Sequence, residues 1–182
     1  LRTDKGEWLV HRAVIPGAPA KVLIGPCIRQ ALENLPIPKR MRWGSGTEEF
    51  VRPVHWLVVL HGGQVVPCTV LGVASGRLSR GHRFMGQQTV RIASASDYEH
   101  SLKEEGAVIA DFAARGAMIE QQVRRLGKKA GGQAVIDPAL LETVAALVEK
   151  PHAVLGRFDP DFLQVPHEAL VSSMRDHQKY FH

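Results

Sequence analysis

Residues 54–71 read VHWLVVLHGGQVVPCTVL and divide into two apolar runs around a His-Gly-Gly triplet at 61–63. Both runs, 54–60 and 64–71, are rich in valine and leucine, and β-branched residues such as valine favour strands. The two glycines permit the positive φ that a tight hairpin turn requires. Pro67 lacks a backbone N–H, so the second strand is expected at a sheet edge or with a bulge. The pattern therefore predicts an antiparallel hairpin.

Upstream of this hairpin, the sequence predicts one strand and one helix. Residues 8–15 alternate as a short strand would. From 22 to 35, apolar residues recur at a spacing of three to four, which is typical of an amphipathic helix. Pro26 lies inside that series and is expected to kink the helix or to mark its first turn. Downstream, the glycine-rich residues 72–86 are interpreted as a loop or an irregular strand.

The second half of the chain has mainly helical patterns. Ser96 and Asp97 are predicted to cap a short helix, and Asp111 is predicted to cap a longer one. Asp137 followed by a proline is predicted to open a third helix. The expected helices end near 105, 129 and 148, a last helix covers 168–176, and a strand is expected at 153–157.

Strands and helices are segregated along the chain rather than alternating, which favours an α+β fold with an antiparallel or mixed sheet and packed helices. Residues 1–95 form a strand-rich basic part with one N-terminal helix, and residues 96–182 form a helix-rich part. At 182 residues and 20.0 kDa, one compact domain or a domain and a half is expected.

The composition is that of an ordered globular protein, with 45% hydrophobic and 23% charged residues. The longest apolar run is far too short to span a membrane, and no signal-peptide layout is present, so a cytoplasmic location and no membrane partner are expected. Cys27 and Cys68 are far apart in sequence and outside any paired metal spacing, which favours buried, reduced thiols. Both ends look cut, and the chain is interpreted as an internal part of a longer polypeptide.

The positive charge is concentrated between Lys39 and Arg83. That segment contains seven basic residues and two acids, Glu48 and Glu49, which accounts for the whole net charge of +5. In the remainder, sixteen bases balance sixteen acids. A local basic field interleaved with aromatic residues is typical of a surface that binds a polyanion such as RNA. The alternative is that some of these arginines form ordinary surface pairs with Glu48, Glu49 or acids of the second half.

Arginine is suited to RNA because it binds phosphate bidentately and stacks on bases. Trp43 and Phe84 are candidate stacking faces, and Trp43 is equally suited to anchor the core. Trp56 is expected inside the core. The candidate RNA-binding residues are Arg40, Arg42, Arg52, Arg77, Arg80, His82 and Arg83.

Motifs of the common cofactor enzymes are absent: the chain has no phosphate loop, dinucleotide fingerprint, CxxC pair or nucleophile elbow. No catalytic residue, metal ligand or cofactor is therefore assigned to this chain. One alternative remains open, a hydrolytic site in which His82 acts as a base with help from Asp176 or His177. Nothing in the spacing of these residues indicates that the fold brings them together.

Several longer motifs carry a family resemblance. They are, in chain order, TDKGEW at 3–8, PIP at 36–38, KRMRWG at 39–44, FVRPVH at 50–55, GHRF at 81–84, VIADF at 108–112 and DHQKYF at 176–181. With these motifs in the same order over essentially the whole length, the chain resembles the β-subunits of bacterial glycyl-tRNA synthetases. It would be an internal part of the N-terminal half of such a subunit.

The resemblance implies an α2β2 class II synthetase in which the α-subunit uses ATP and Mg and holds glycine and the adenylate. The β-subunit would engage glycine tRNA for aminoacyl transfer. The family's HD-like and anticodon-binding domains would lie outside this chain. The resemblance also implies an arrangement similar to the B3/B4-like portion of the phenylalanyl-tRNA synthetase β-subunit.

Three hypotheses for function follow. In the first, the chain is a non-catalytic part of the β-subunit that supports tRNA binding and subunit assembly in a glycine–tRNA ligase. In the second, it is purely structural, and its basic segment contacts the α-subunit or the remainder of the β-subunit. In the third, it carries a hydrolytic site that edits mischarged tRNA.

Overall fold

A computed structural model describes residues 2–182 of the chain as an α+β fold with several small sheets. Its helices are α1 (Ala20–Glu33), α2 (Tyr98–Glu104), α3 (Phe112–Lys129), α4 (Pro138–Leu147) and α5 (His167–Ser172). Two short 3₁₀ turns, Ala95–Asp97 and Pro160–Gln164, precede α2 and α5, and a π-helical turn, Ser173–His177, continues α5. No described helix is long and apolar enough to cross a membrane.

The strands are short and pair mostly between sequence neighbours. They are β1 (Arg2–Thr3), β2 (Gly6–Glu7), β3 (Met41–Arg42), β4 (Glu49–Phe50), β5 (Leu57–Val58), β6 (Leu60–His61), β7 (Gln64–Val65), β8 (Thr69–Val70), β9 (Val73–Gly76), β10 (Leu78–Ser79) and β11 (Val90–Arg91). Antiparallel pairs join β1 to β2, β3 to β4, β6 to β7, β8 to β9 and β10 to β11. β5 pairs with β9 in parallel, which makes the β5–β9–β8 sheet mixed.

The hairpin predicted around the His-Gly-Gly triplet is confirmed. β6 and β7 pair across Gly62, whose φ is +58°, and Gly63. The bond from the Val66 amide to the Val59 carbonyl, at 3.0 Å, extends the pairing. Val59 and Val66 are both buried, so the hairpin contributes directly to the core.

A small apolar cluster joins the strands to α2. Val90 and Ile92 are fully buried beside Leu102 of α2, and the side chains of Val58 and Leu60 pack against them. Burying side chains of this size stabilises the fold by about 1.5–3 kcal/mol each. This cluster therefore fixes the β10–β11 hairpin relative to α2.

The long helices begin where their capping residues predict. The Asp111 carboxylate accepts a bond from the Ala114 amide at 2.9 Å, and Asp137 accepts one from Leu140 at the same distance. Arg115 then links α3 to α4, because its guanidinium donates to the carbonyl of Ala145 at 2.8 Å. Side-chain caps of this type stabilise a helix by about 1 kcal/mol.

Several local predictions are wrong. Residues 8–15 form no strand, and neither do residues 153–157, where the Ala153 amide donates to the Gln122 side chain at 2.8 Å. Neither Ser96 nor Asp97 caps α2 with its side chain, since a 3₁₀ turn precedes that helix. Cys27 is exposed rather than buried, and both cysteines are unpaired.

Candidate nucleic-acid interface

The connection between β10 and β11, residues 80–89, is tied to the segment that follows α2. The His82 amide donates to the Gly106 carbonyl at 2.6 Å, and the Gln87 amide donates to the Glu105 carbonyl at 2.9 Å. Within the connection, the Gly86 amide donates to the His82 carbonyl at 3.2 Å. These backbone bonds hold both ends of the loop against a fixed support.

Three glycines permit this close approach. A Cβ atom on Gly81 would lie 2.7 Å from the Gly106 Cα, and one on Gly86 would overlap the Gly106 carbonyl. A Cβ on Gly106 would in turn lie 2.7 Å from the Leu102 carbonyl. Because real Cβ atoms do not approach backbone atoms this closely, any side chain at these positions would force the loop away from its support. The sequence shows the glycines, but only the fold shows that they meet.

The tip of this loop is organised by His82. Its Nδ1 accepts bonds from the amides of Phe84 and Met85, each at 3.2 Å. The Phe84 ring lies 6.2 Å from the His82 ring and is tilted by 58°. Even so, Phe84 is 86% exposed and Met85 is 53% exposed, and Arg83 is exposed beside them. We call residues 82–85 the knuckle.

Two of the predicted arginines bond to the protein's own backbone. Arg77 is half-buried, and its guanidinium donates to the carbonyls of Gly63 at 2.9 Å, Ala93 at 3.0 Å and Ile92 at 3.3 Å. Arg40 donates to the carbonyls of Leu32 and Glu33 at the end of α1, both at 3.2 Å. Both side chains therefore satisfy backbone carbonyls of the fold.

The other predicted arginines are exposed. Arg80 donates to the hydroxyl of Thr89 at 3.0 Å, which spans the base of the knuckle loop. Arg42 lies on β3 opposite Glu49, and Arg52 follows β4. The structure thus brings Arg77, Arg80, His82 and Arg83 together along one hairpin, whereas Arg40, Arg42 and Arg52 belong to the end of α1 and the β3–β4 hairpin.

Acidic partners do not neutralise this basic segment. Ion pairs within 4.0 Å among the described residues include Lys103–Glu104, Arg124–Glu120 and Arg175–Asp176. None of these pairs includes a basic residue of the segment 39–83, so the alternative of surface pairs with Glu48, Glu49 or acids of the second half is not found among them. The positive charge predicted from the sequence therefore reaches solvent at Arg42, Arg52 and Arg83.

Among the aromatic residues, the exposure of Trp56 differs from the prediction. Trp56 is 45% exposed, so its predicted place inside the core is wrong. It lines an open cleft of about 430 Å³ together with Tyr98 and the buried Ser79. Trp43 is half-buried. Phe84 is by far the most exposed of these rings.

Comparisons with known proteins identify the family. The family model described as glycyl-tRNA synthetase beta subunit matches residues 1–182, the whole chain. The chain belongs to this family. The resemblance seen in the sequence motifs is thereby confirmed.

Three named relatives are longer than this chain. It is 50% identical over 182 residues to the glycine–tRNA ligase beta subunit of Hahella chejuensis, and 50% identical over 183 residues to that of Marinobacter nauticus. Against the protein of Histophilus somni strain 2336 it is 51% identical over 181 residues. In each comparison the whole chain is covered, and it spans 26% of the relative's length.

His82 and Asp176, two residues of the hydrolytic hypothesis, bond to different groups in the fold. His82 uses Nδ1 to accept the knuckle amides. Asp176 accepts bonds from Arg175 at 2.8 Å and from the Ser172 hydroxyl at 2.9 Å, and these two bonds lower the pKa of Asp176 to about 2. It lines a second cleft with Asp137. Among the described residues, no three His, Cys, Asp or Glu side chains form a group able to hold a metal ion.

The residues that support the knuckle are uncharged glycines, so the distribution of charge in the sequence does not indicate them. The three are Gly81, Gly86 and Gly106, which have neither charge nor an aromatic ring. One sequence signal was nevertheless present, because residues 50–96 contain five arginines and no Asp or Glu. That acid-free run contains the whole knuckle, which extends two residues past the segment 39–83.

Proposed function

We propose that this chain forms part of the tRNA-binding surface of a glycine–tRNA ligase β-subunit. The observation that carries the proposal is the exposure of Arg42, Arg52 and Arg83. Within residues 2–182, their side chains make no recorded hydrogen bond or ion pair. Such side chains are available to neutralise backbone phosphates, and each phosphate contact releases counterions from the nucleic acid.

The proposal includes the larger assembly. The relatives are named as beta subunits of glycine–tRNA ligases, which supports an α-subunit as partner. We place this chain in an α2β2 cytoplasmic enzyme whose α-subunit uses ATP and Mg to activate glycine. The chain itself takes no part in that activation and supports the binding of glycine tRNA together with the remainder of the β-subunit.

A second candidate function rests on a different observation. The arm at 8–19 has no secondary structure and exposes large apolar side chains, including Leu9 at 105%, Val14 at 95% and Ile15 at 89%. An apolar surface of this kind is typical of an interface with another chain or domain. The arm therefore favours an assembly role for this part of the molecule, in contact with the α-subunit or the remainder of the β-subunit.

The test is a salt series of glycine tRNA binding by the full-length ligase with its α-subunit. The variant Arg42→Ala/Arg52→Ala/Arg83→Ala removes the unengaged arginines and leaves Arg77 in place. If each contacts one phosphate, the slope of log affinity against log salt falls by about three. The matched control, Arg125→Ala/Lys128→Ala/Lys129→Ala, removes the same charge from the exposed end of α3 and leaves the slope unchanged.

Two outcomes would overturn the proposal. Equal slopes for the wild type and the first variant would show that these arginines do not contact phosphate. Loss of the α-subunit from the first variant during gel filtration, with unchanged tRNA affinity of the assembled fraction, would assign the charge to a protein interface instead.

A further inference from the structure

We propose that the knuckle is a stacking platform: Phe84 stacks on the base of one unpaired tRNA nucleotide while Arg83 contacts its phosphate. This inference rests on the proposed function, because it names the element of RNA that the surface takes. It adds a contact that depends on the aromatic ring rather than on charge.

The first argument is rigidity. The loop carrying Phe84 is fastened to residues 105–106 by the His82 and Gln87 amides, and the amides of Phe84 and Met85 are held by the His82 ring. The contacts of Gly81 and Gly86 with Gly106 leave no room for the loop to shift inward. A group fixed in this way loses little conformational freedom when it binds, so more of the contact energy appears as affinity.

The second argument is the exposure of the ring. Phe84 is 86% exposed, and its recorded ring contact is with His82. Burying a phenylalanine side chain stabilises a protein by about 1.5–3 kcal/mol, so this position forgoes a gain that other apolar residues of the chain obtain. The bonds from the Phe84 and Met85 amides to the His82 ring fix the tip of the loop in this exposed position.

The third argument selects RNA as the occupant. The hairpin at 77–91 contains four arginines and no acid, so an approaching polyanion meets net positive charge along the hairpin. An aromatic face beside an arginine matches the combination of stacking and phosphate contact found in proteins that bind single-stranded nucleic acid. Bases inside an A-form duplex are stacked on one another and cannot reach a side chain, so the nucleotide must be unpaired.

The experiment compares substitutions of Phe84 in the full-length ligase with its α-subunit, using glycine tRNA as the probe. Phe84→Ala is expected to weaken binding by about five- to a hundredfold, the range for losing one base–aromatic stack. Phe84→Trp keeps the aromatic face and should bind within about threefold of the wild type, by the same principle. The matched control is Phe84→Leu, which keeps apolar bulk without a π-face and should bind almost as weakly as Phe84→Ala.

Two further readouts make the test specific. In Phe84→Trp, the additional indole fluorescence should be quenched when tRNA binds, relative to the wild type. The salt slope should be unchanged in Phe84→Ala, because no charge is removed, whereas Arg83→Ala should reduce it by about one.

The outcomes separate this inference from the proposed function. If Phe84→Ala binds as the wild type does while the triple arginine variant loses its salt slope, stacking is wrong and the phosphate surface stands. If Phe84→Leu binds like the wild type, or if Phe84→Ala instead releases the α-subunit, the knuckle is an apolar contact with protein and the inference is overturned. If neither Phe84→Ala nor the arginine variant changes binding, both proposals fail.

Discussion

Two basic hairpins of the same chain are built in opposite ways. In the β3–β4 hairpin, Arg42 faces Glu49 across the strands, and a Cβ on Gly46 in its turn would meet nothing closer than 4.0 Å. In the β10–β11 hairpin, the connecting loop contains no acid, and Gly81 and Gly86 are pressed against Gly106. The first has an acid in register with its arginine, without an ion pair, and an open turn, whereas the second has neither.

The difference shows what a charged loop requires if it is to act as a fixed surface. Like charges on a flexible loop can move apart, whereas the backbone that carries the charges of the β10–β11 loop is held by bonds to residues 105 and 106. This arrangement requires glycine at positions 81, 86 and 106, because a Cβ atom there would clash with backbone atoms. The β3–β4 hairpin has no such requirement at Gly46, because a Cβ there would meet nothing closer than 4.0 Å.

The largest effect is expected from Gly86→Ala. Its Cβ would overlap the Gly106 carbonyl, so the loop must leave its support, at a cost of about 3 kcal/mol. Hydrogen exchange of the full-length β-subunit should show lost protection of the His82 and Gln87 amides. The control Gly46→Ala, in the other hairpin, is expected to change stability by less than about 0.5 kcal/mol. Equal protection in Gly86→Ala and the wild type would contradict the close packing.

A smaller effect is expected from Arg77→Ala. The substitution leaves the carbonyls of Gly63, Ile92 and Ala93 without their donor, which costs about 2 kcal/mol. The Ile92 amide should then exchange faster in the full-length β-subunit. Arg52→Ala, which removes an exposed side chain without a recorded partner, is the control and should leave exchange unchanged. If both variants exchange alike, Arg77 does not differ from an ordinary surface arginine.

The smallest effect is expected from Glu49→Gln, which makes the β3–β4 hairpin resemble the β10–β11 hairpin in charge. Exposed opposite charges in cross-strand register, such as Arg42 and Glu49, interact by about 0.2–1 kcal/mol, so tRNA affinity should rise only about two- to threefold at low salt. The rise should disappear as salt screens the charges. Glu120→Gln, at an acid that pairs with Arg124 on α3, is the matched control. A fall in affinity, or an equal rise in the control, would contradict local compensation by Glu49.

Patterns that depend on neighbouring residues were predicted well from the sequence. The caps at Asp111 and Asp137, the helix containing Pro26 and the turn at Gly62 all follow from residues within a few positions of one another. The predicted strand at 8–15 was wrong: these residues alternate as a strand does, but they are in no sheet of the described chain. The predicted burial of Trp56 was wrong for a related reason. Trp56 lines an open cleft, and residues distant in sequence, such as Tyr98, form the rest of that cleft.

The sequence by itself determined the family, the α+β class, the helix starts and the concentration of positive charge between residues 39 and 83. Only the tertiary structure decided which arginines serve the fold and which face solvent. Arg77 and Arg83 are six residues apart and chemically identical, yet one binds three carbonyls and the other none that is recorded among the described residues. The physical reason is that those carbonyls belong to Gly63, Ile92 and Ala93, and only the folded chain brings them to Arg77.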